Sequence, residues 1–185
     1  MDKCLVVGNG PSHTDYEFIR NFEGPILCCD ITVRDLVNND IIPDYMLFSE
    51  TNETISNHIV EWMPSNLVEH KEKLKVVHRS KCRAIMVNRC GRLKLERIVY
   101  DADIYGNDNA INNVGLYSIC FAGDILEIPE IHLIGLDYGG GDYPDVKQSW
   151  IDSTRHYYNN RVNTPNIIDH SGGNFPEFDQ KYYTR

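Results

Sequence analysis

The segment "KCLVVGNGPS", Lys3–Ser12, decides the fold of this chain. Its first half is a short apolar run with the length of a buried strand. The run ends abruptly at two glycines on either side of Asn9, which Pro11 and Ser12 follow. A loop that only turned the chain would need one glycine. The second glycine therefore predicts backbone that is left uncovered so that another group can lie against it.

The same succession of an apolar strand and a helical stretch recurs along the chain. Strands are predicted at 3–8, 25–30, 43–50, 74–80, 83–89, 131–138 and 166–171, and helices at 14–21, 32–38, 52–62 and 113–128. Strands and helices that alternate with short connections form a parallel sheet covered on both faces. The sequence contains no repeat, low-complexity stretch or linker. It therefore predicts one α/β domain over 1–185, with a mostly parallel central sheet and helices on both faces.

The composition is typical of a soluble globular protein. The chain has 185 residues, of which 42% are hydrophobic and 24% charged, enough for one domain with a sizeable core. No apolar run approaches the roughly 18 residues of a membrane span, and the N-terminus lacks a signal-peptide pattern. Six cysteines lie mostly inside apolar segments, with neither disulfide-framework nor zinc-ligand spacing. We therefore expect reduced thiols in a cytoplasmic protein.

The net charge of −9 argues against general nucleic-acid binding, but the charge is unevenly distributed. Ten basic and two acidic residues between Lys71 and Arg97 give this basic segment a charge of about +8, which leaves about −17 for the rest of the chain. In one interpretation these side chains form a solvated basic face. In the other they attract a phosphate-bearing ligand or an acidic partner subunit, which is compatible with a homo-oligomer.

Polar residues and glycines end four of the predicted strands. They are Gly8–Ser12, Asp30, Ser49–Glu50 and Asp137–Tyr138. In an open parallel sheet, ligands bind beyond the carboxyl ends of the strands, near the switch in strand order. The glycine loop would present open backbone N–H groups there, beside the positive end of the next helix, which suits a phosphate or a nucleotide. The structural alternative is a tight strand-to-helix turn with Ser12 as its cap. The glycine spacing does not fit a P-loop or an NAD dehydrogenase.

Three segments resemble two related groups of proteins: "VVGNGPS" (6–12), "IIPDYMLFSE" (41–50) and "GLYSICFAGDILEIPEIHLIGLDY" (115–138). One group is the bacterial sialyltransferases, which use a CMP-sugar donor. The other comprises the archaeal hydroxymethyl-dihydropterin pyrophosphokinases together with motility accessory factors thought to glycosylate flagellin. Both groups share a "GNGPS" or "GAGPS" loop and a late strand that ends in "GxD". The resemblance implies a three-layer Rossmann-like fold and a nucleotide-dependent transferase.

Carried over by position, the resemblance also implies a set of site residues. The nucleotide-binding residues would be Gly8, Asn9, Gly10, Pro11, Ser12, Asp30, Glu50, Gly115, Tyr138 and Tyr143. The catalytic residues would be Asp137 and a histidine base in a short lid over 139–160, for which we favour His156 over His170. Three glycines at 139–141 suit the mobile start of such a lid. The competing interpretation is a covering helix with His156 on its exposed face.

The departures from the resemblance leave three functions open. Asp30 and Glu50 stand where the sialyltransferases present asparagines, and a carboxylate facing a phosphate requires a divalent cation between them. A magnesium-dependent pyrophosphokinase with Asp30 and Glu50 as metal ligands is therefore the alternative to sugar transfer from a CMP-type donor. A nucleotide-binding module without catalysis is the third. We expect a nucleotide or nucleotide-sugar and a small-molecule or glycan acceptor as partners, and no tightly bound cofactor except magnesium in the second case.

Overall fold

A computed structural model describes residues 1–49, 65–80, 88, 90–102, 114–136, 153, 156–157 and 164–171 of the chain. Seven strands form one sheet: β1 (Lys3–Val7), β2 (Ile26–Cys29), β3 (Tyr45–Phe48), β4 (Lys75–His78), β5 (Glu96–Val99), β6 (Glu130–Ile134) and β7 (Asn166–Asp169). The described α-helices are α1 (Tyr16–Asn21), α2 (Thr32–Asn38) and α3 (Val114–Asp124). Two 3₁₀ helices span Pro11–Thr14 and Ser65–His70. No helix among these residues is long and apolar enough to cross a membrane.

The strands lie in the order β5-β4-β3-β2-β1-β6-β7, and every neighbouring pair is parallel. The predicted α/β fold is therefore confirmed, with a fully parallel sheet. A parallel sheet is covered on both faces, so its central strands are continuously apolar rather than alternating. Cys4–Val7 in β1 and Ile26–Cys29 in β2 are accordingly all buried. Because these buried residues are also apolar and consecutive, both strands could be recognised in the sequence.

Helices cover both faces of the sheet and give the predicted three layers. On one face, α3 packs against alternate strand residues such as Val6, Leu47 and Val77. On the other face, α1 and α2 pack against the intervening residues, which include Leu5 and Met46. Successive side chains along each strand lie on opposite faces of the sheet. We call the face that α3 covers the α3 face.

The fifth strand differs from the sequence prediction. A strand was predicted at 83–89, but Asn88, the residue of that stretch that the structure describes, is helical, and β5 lies at Glu96–Val99. β5 is an edge strand whose Glu96, Arg97 and Val99 are exposed, so it has no apolar run to reveal it. The helix predicted at 52–62 lies outside the described residues. The single domain over 1–185 stays a prediction.

Two glycines join the ends of β1 and β6 at close range. The Gly8 N–H donates to the Ile134 carbonyl at 2.8 Å, and the Gly10 N–H donates to the Gly135 carbonyl at 2.6 Å. A β-carbon on Gly8 would overlap the Gly135 carbonyl oxygen. Gly135 has a φ of +72°, and a β-carbon there would lie 2.5 Å from the Gly8 oxygen. Only glycine allows this approach at both positions, and we call the contact the glycine seam.

A pair of histidines links β6 to the residue that directly follows the edge strand β7. His132 Nδ1 and His170 Nε2 are 2.8 Å apart, and His132 Nε2 lies 2.9 Å from Glu130 Oε1. With Glu130 ionised, His132 donates from Nε2 and accepts from the Nε2–H of a neutral His170. Phe18 of α1 packs on the His170 ring with a centroid distance of 4.6 Å. The histidine pair borders a cleft of about 590 Å³ between α1 and the β6–β7 pair.

Replacing Gly8 with Ala should lower the free energy of unfolding by about 1–3 kcal/mol, because the new β-carbon overlaps backbone rather than a movable side chain. Gly91→Ala is the matched control, since nothing lies within 4 Å of a β-carbon at this helical residue. Alanine at Gly91 should stabilise the protein by up to about 1 kcal/mol. Urea denaturation measures both variants. A Gly8→Ala protein as stable as the wild type would contradict the seam.

Protein stability should fall as the pH drops below 6.5, the ordinary pKa of histidine. Burial, followed by the nearby His132, lowers the pKa of His170 in the folded protein, so the unfolded chain binds the proton first and stability is lost on acidification. The contribution is fully present above pH 6.5. His170→Gln should flatten this dependence in urea titrations on either side of that pH. Equal pH slopes for variant and wild type would refute the assignment.

Candidate functional site

The strand order reverses at β1, and this reversal locates the candidate site. β2 lies on one side of β1 and β6 on the other, so the connections leave β1 and β6 in opposite directions at the carboxyl edge. Ligands of open α/β sheets bind in the crevice that such a reversal creates. The predicted loop Gly8–Ser12 follows β1 at this point. The structure therefore brings the sequence-predicted loop to the expected edge of the sheet.

The loop is less open than its sequence predicts. The N–H groups of Gly8 and Gly10 are used by the glycine seam, so the expectation that the N–H groups of this stretch stay open is wrong for these two. The Ser12 hydroxyl accepts a hydrogen bond from the Gly135 N–H at 2.8 Å and so tightens the same contact. Asn9 and Pro11 are exposed. The nucleotide-binding role of these five residues stays a prediction, and Asn9 offers an exposed polar side chain.

Asp30 follows β2 at the same edge. Its φ is 42°, a left-handed conformation that aspartate tolerates better than most residues, and its N–H donates to the Leu47 carbonyl at 2.9 Å. Its predicted metal partner Glu50 lies outside the described residues, as do the other predicted site residues Asp137, Tyr138 and Tyr143. Within the described ranges, no group of three or more metal-ligating side chains is close enough to hold a metal ion. Magnesium binding stays a prediction.

The first turns of α3 cross the carboxyl ends of the middle strands. Ser118 Oγ lies 3.6 Å from Cys29 Sγ at the end of β2, and the Tyr117 hydroxyl donates to the carbonyl of Tyr100 just after β5, at 2.6 Å. In the sheet, β3 and β4 lie between those two contacts. The predicted residue Gly115 is buried in the first turn of α3, where it adds no side chain between the helix and the sheet edge. Burial raises the pKa of Cys29 to about 12, so this thiol is neutral and unreactive.

Three buried polar side chains lie at this edge; the sequence placed Ser49 there as a strand-end residue, but it identified neither Thr32 nor Arg79. Thr32 Oγ1 and Ser49 Oγ are buried and have no hydrogen-bond partner in the described part of the chain. Arg79, directly after β4, is only 7% exposed. Buried hydroxyls normally find a partner, so an unpaired one requires an explanation. Arg79 was visible in the sequence as one of ten basic residues, but nothing there distinguished it from the exposed ones.

His156 lies in a helical stretch next to Tyr157. The Tyr157 hydroxyl is 3.3 Å from Asp124 Oδ1 at the C-terminal end of α3, and a β-carbon on Gly123 would meet both this hydroxyl and Pro165, which precedes β7. These neighbours lie toward the amino ends of the strands, opposite the glycine loop. The geometry around Tyr157 thus gives no support to His156 as a base at the carboxyl edge, and that role stays a prediction.

The fold is similar to that of a known transferase. The MAf glycosyltransferase from Magnetospirillum magneticum AMB-1 matches with a TM-score of 0.62 and 17% identity, covering 91% of this chain and 33% of that one. A Lactobacillus plantarum protein matches with a TM-score of 0.44 and 14% identity, covering 91% of this chain and 61% of that one. No model of a known protein family and no curated protein matches the sequence. The chain spans about a third of the length of that glycosyltransferase, and the similarity shows that the two share an α/β fold.

Thr32→Val should raise the free energy of unfolding of the unliganded protein by about 1 kcal/mol, because it removes a buried hydroxyl without a partner while keeping the branched shape. The comparison variant is Ser118→Ala, whose hydroxyl donates to the Val114 carbonyl at 2.8 Å. Its loss should cost about 0.5–1.5 kcal/mol. Guanidinium titrations compare the two. Destabilisation by Thr32→Val would show that the Thr32 hydroxyl already has a hydrogen-bond partner in the unliganded protein.

Proposed function

We propose that the chain is a nucleotide-dependent glycosyltransferase that moves a sugar from a CMP-type donor to a small-molecule or glycan acceptor. Three observations support this function. The fold is shared with a solved glycosyltransferase. The segments at 6–12, 41–50 and 115–138 resemble the nucleotide-sugar enzymes named above. The reversal of strand order at β1 brings the first of these segments beside the end of the last, at the edge where nucleotides bind in such sheets.

The observation that carries the proposal is the position of the loop Gly8–Ser12 in that crevice. The glycine seam fixes one side of the loop against β6, which leaves Asn9 exposed on a rigid turn. A rigid turn holds a ligand with little loss of chain entropy on binding. Gly115 is buried in the first turn of α3, which crosses the carboxyl ends of the middle strands, and the positive end of this helix favours an anion there. Donor binding by this chain therefore depends on backbone geometry as well as on side chains.

The chemical step is assigned from the resemblance. His156 would act as general base on the acceptor hydroxyl, with Asp137 close to the reacting atoms and Tyr138 and Tyr143 against the donor. General base assistance of this kind is worth roughly 10²–10⁴-fold in rate.

Asp30 favours one other function. Its carboxylate lies at the carboxyl edge beside the crevice, where it would repel a phosphate without an intervening cation. Magnesium-dependent diphosphate transfer, with Asp30 and Glu50 as ligands and the metal stabilising charge on the transferred group, would use that carboxylate. The two functions differ in their need for magnesium, which makes them experimentally separable.

A thermal-shift screen of CMP, CDP, ATP, GTP and AMP, each with magnesium or with EDTA, tests the proposal. A nucleotide that binds only the folded protein stabilises it by about 2.7 kcal/mol at a concentration about 100 times its dissociation constant. We expect stabilisation by CMP or CDP that persists in EDTA. Stabilisation by ATP that requires magnesium would indicate the diphosphate-transfer alternative, and no shift with any nucleotide would refute both.

The loop provides a matched pair of variants for the same screen. Asn9→Ala should reduce the shift produced by CMP, because this exposed side chain lies in the crevice, and should change unliganded stability by less than about 0.5 kcal/mol. Asn38→Ala removes an exposed asparagine at the far end of α2 and should leave the CMP shift unchanged. Equal CMP shifts for both variants would argue against the loop as the nucleotide site.

A further inference from the structure

A mostly buried arginine directly follows β4 at the carboxyl edge of the sheet. Arg79 is 7% exposed, and among the described residues its guanidinium makes no hydrogen bond and no ion pair. Other basic residues of the segment 71–97 are exposed, among them Lys71, Arg92 and Arg97. A guanidinium that is largely withdrawn from water and has no partner among the described residues is a favourable site for an anion.

Ser49 lies beside Arg79 in register. Phe48 of β3 pairs with His78 of β4, so the next residue of each strand, Ser49 and Arg79, are neighbours at the strand ends. Neighbouring strands are about 4.8 Å apart. Leu47 and Val77, two residues earlier, belong to the α3 face, and alternation places Ser49 and Arg79 on the same face. The buried Ser49 hydroxyl without a described partner and the buried guanidinium are therefore side by side.

The first turns of α3 lie near this pair. Ser118 contacts the end of β2, and the Tyr117 hydroxyl reaches the Tyr100 carbonyl after β5, while Ser49 and Arg79 directly follow the two strands between those contacts. The start of an α-helix presents backbone N–H groups and a positive partial charge. The hydroxyl, the guanidinium and the helix start are all groups that can donate hydrogen bonds to one anion.

The described carboxylates at this edge are not paired with Arg79. Asp101 accepts from the Ser80 N–H at 2.9 Å. Neither Asp101 nor Asp30, which follows β2, forms a salt bridge with Arg79 in the described part of the chain. Among the described residues, the guanidinium is therefore available to an anionic ligand.

We propose that Arg79 and Ser49, with the first turn of α3, form a phosphate-binding subsite. The planar guanidinium donates two parallel hydrogen bonds to phosphate oxygens, and the Ser49 hydroxyl donates a third. The inference rests on the proposed function only for the identity of the ligand, since a nucleotide donor brings phosphate to this edge. Under this proposal, both interpretations of the basic segment apply to different residues. Arg79 binds the phosphate-bearing ligand, while the exposed basic residues around it form a solvated face.

Calorimetry with inorganic pyrophosphate and CMP, with cytidine as the phosphate-free comparison, tests the subsite. Arg79→Gln should weaken pyrophosphate and CMP binding by about 30-fold or more, because it leaves buried phosphate charge unpaired. Arg92→Gln makes the same change of net charge at an exposed position and should change affinity by less than about twofold. Ser49→Ala should weaken binding by about tenfold or more, and it tests the subsite even where Arg79→Gln folds poorly.

The melting temperature without ligand separates a binding role from a structural one. Removing an unpaired buried charge should leave the melting temperature of Arg79→Gln unchanged or raised. Unchanged pyrophosphate and CMP affinities in Arg79→Gln and Ser49→Ala would overturn the subsite, while CMP binding itself would leave the proposed function standing. Pyrophosphate binding that requires Arg79, in a protein that binds no nucleotide, would support the subsite and refute the proposed function.

Discussion

The close contact between the ends of β1 and β6 is the constraint on which the rest of the structure depends. Gly8 and Gly135 approach so closely that neither position accepts a β-carbon, and three hydrogen bonds from this stretch hold the approach. The contact aligns the first strand of the chain with a strand more than 100 residues later. It therefore fixes both the reversal of strand order and the crevice. The sequence predicted that the loop glycines leave their N–H groups open for a ligand. In the structure, Gly8 and Gly10 use these groups to bond the end of β1 to the end of β6.

The pattern of apolar runs predicted most of the fold. Strands β1 to β4, β6 and β7 and helices α1, α2 and α3 were located from continuous apolar segments, because a parallel sheet buries both of its faces. β5 was missed because an exposed edge strand has no such segment. The loop and Asp30 lie at the carboxyl edge of the sheet, as the sequence predicted, while their role in binding stays a prediction. Arg79 and Thr32 were not recognised, because burial depends on strand order and helix placement, which no local pattern contains.

The charge distribution has a physical consequence for ligand binding. A chain with a net charge of −9 repels anionic substrates at long range. Binding of a phosphate ligand therefore requires a short-range cation in a position shielded from water, where the attraction is stronger. Arg79 is only 7% exposed and directly follows β4, which lies between β3 and β5. In the unliganded protein, partial removal of the Arg79 guanidinium from water costs free energy. Binding of an anion offsets this cost.

A crystal structure of the protein with CMP would test most directly whether the carboxyl edge is the nucleotide site. We expect the nucleotide in the crevice beside the glycine loop, with its phosphate within hydrogen-bond distance of the Arg79 guanidinium and the Ser49 hydroxyl. The cleft between α1 and the β6–β7 pair, which is lined by Phe18, Phe22 and the two histidines, is another cavity among the described residues. CMP bound in that cleft, with the carboxyl edge occupied only by water, would contradict the proposed site.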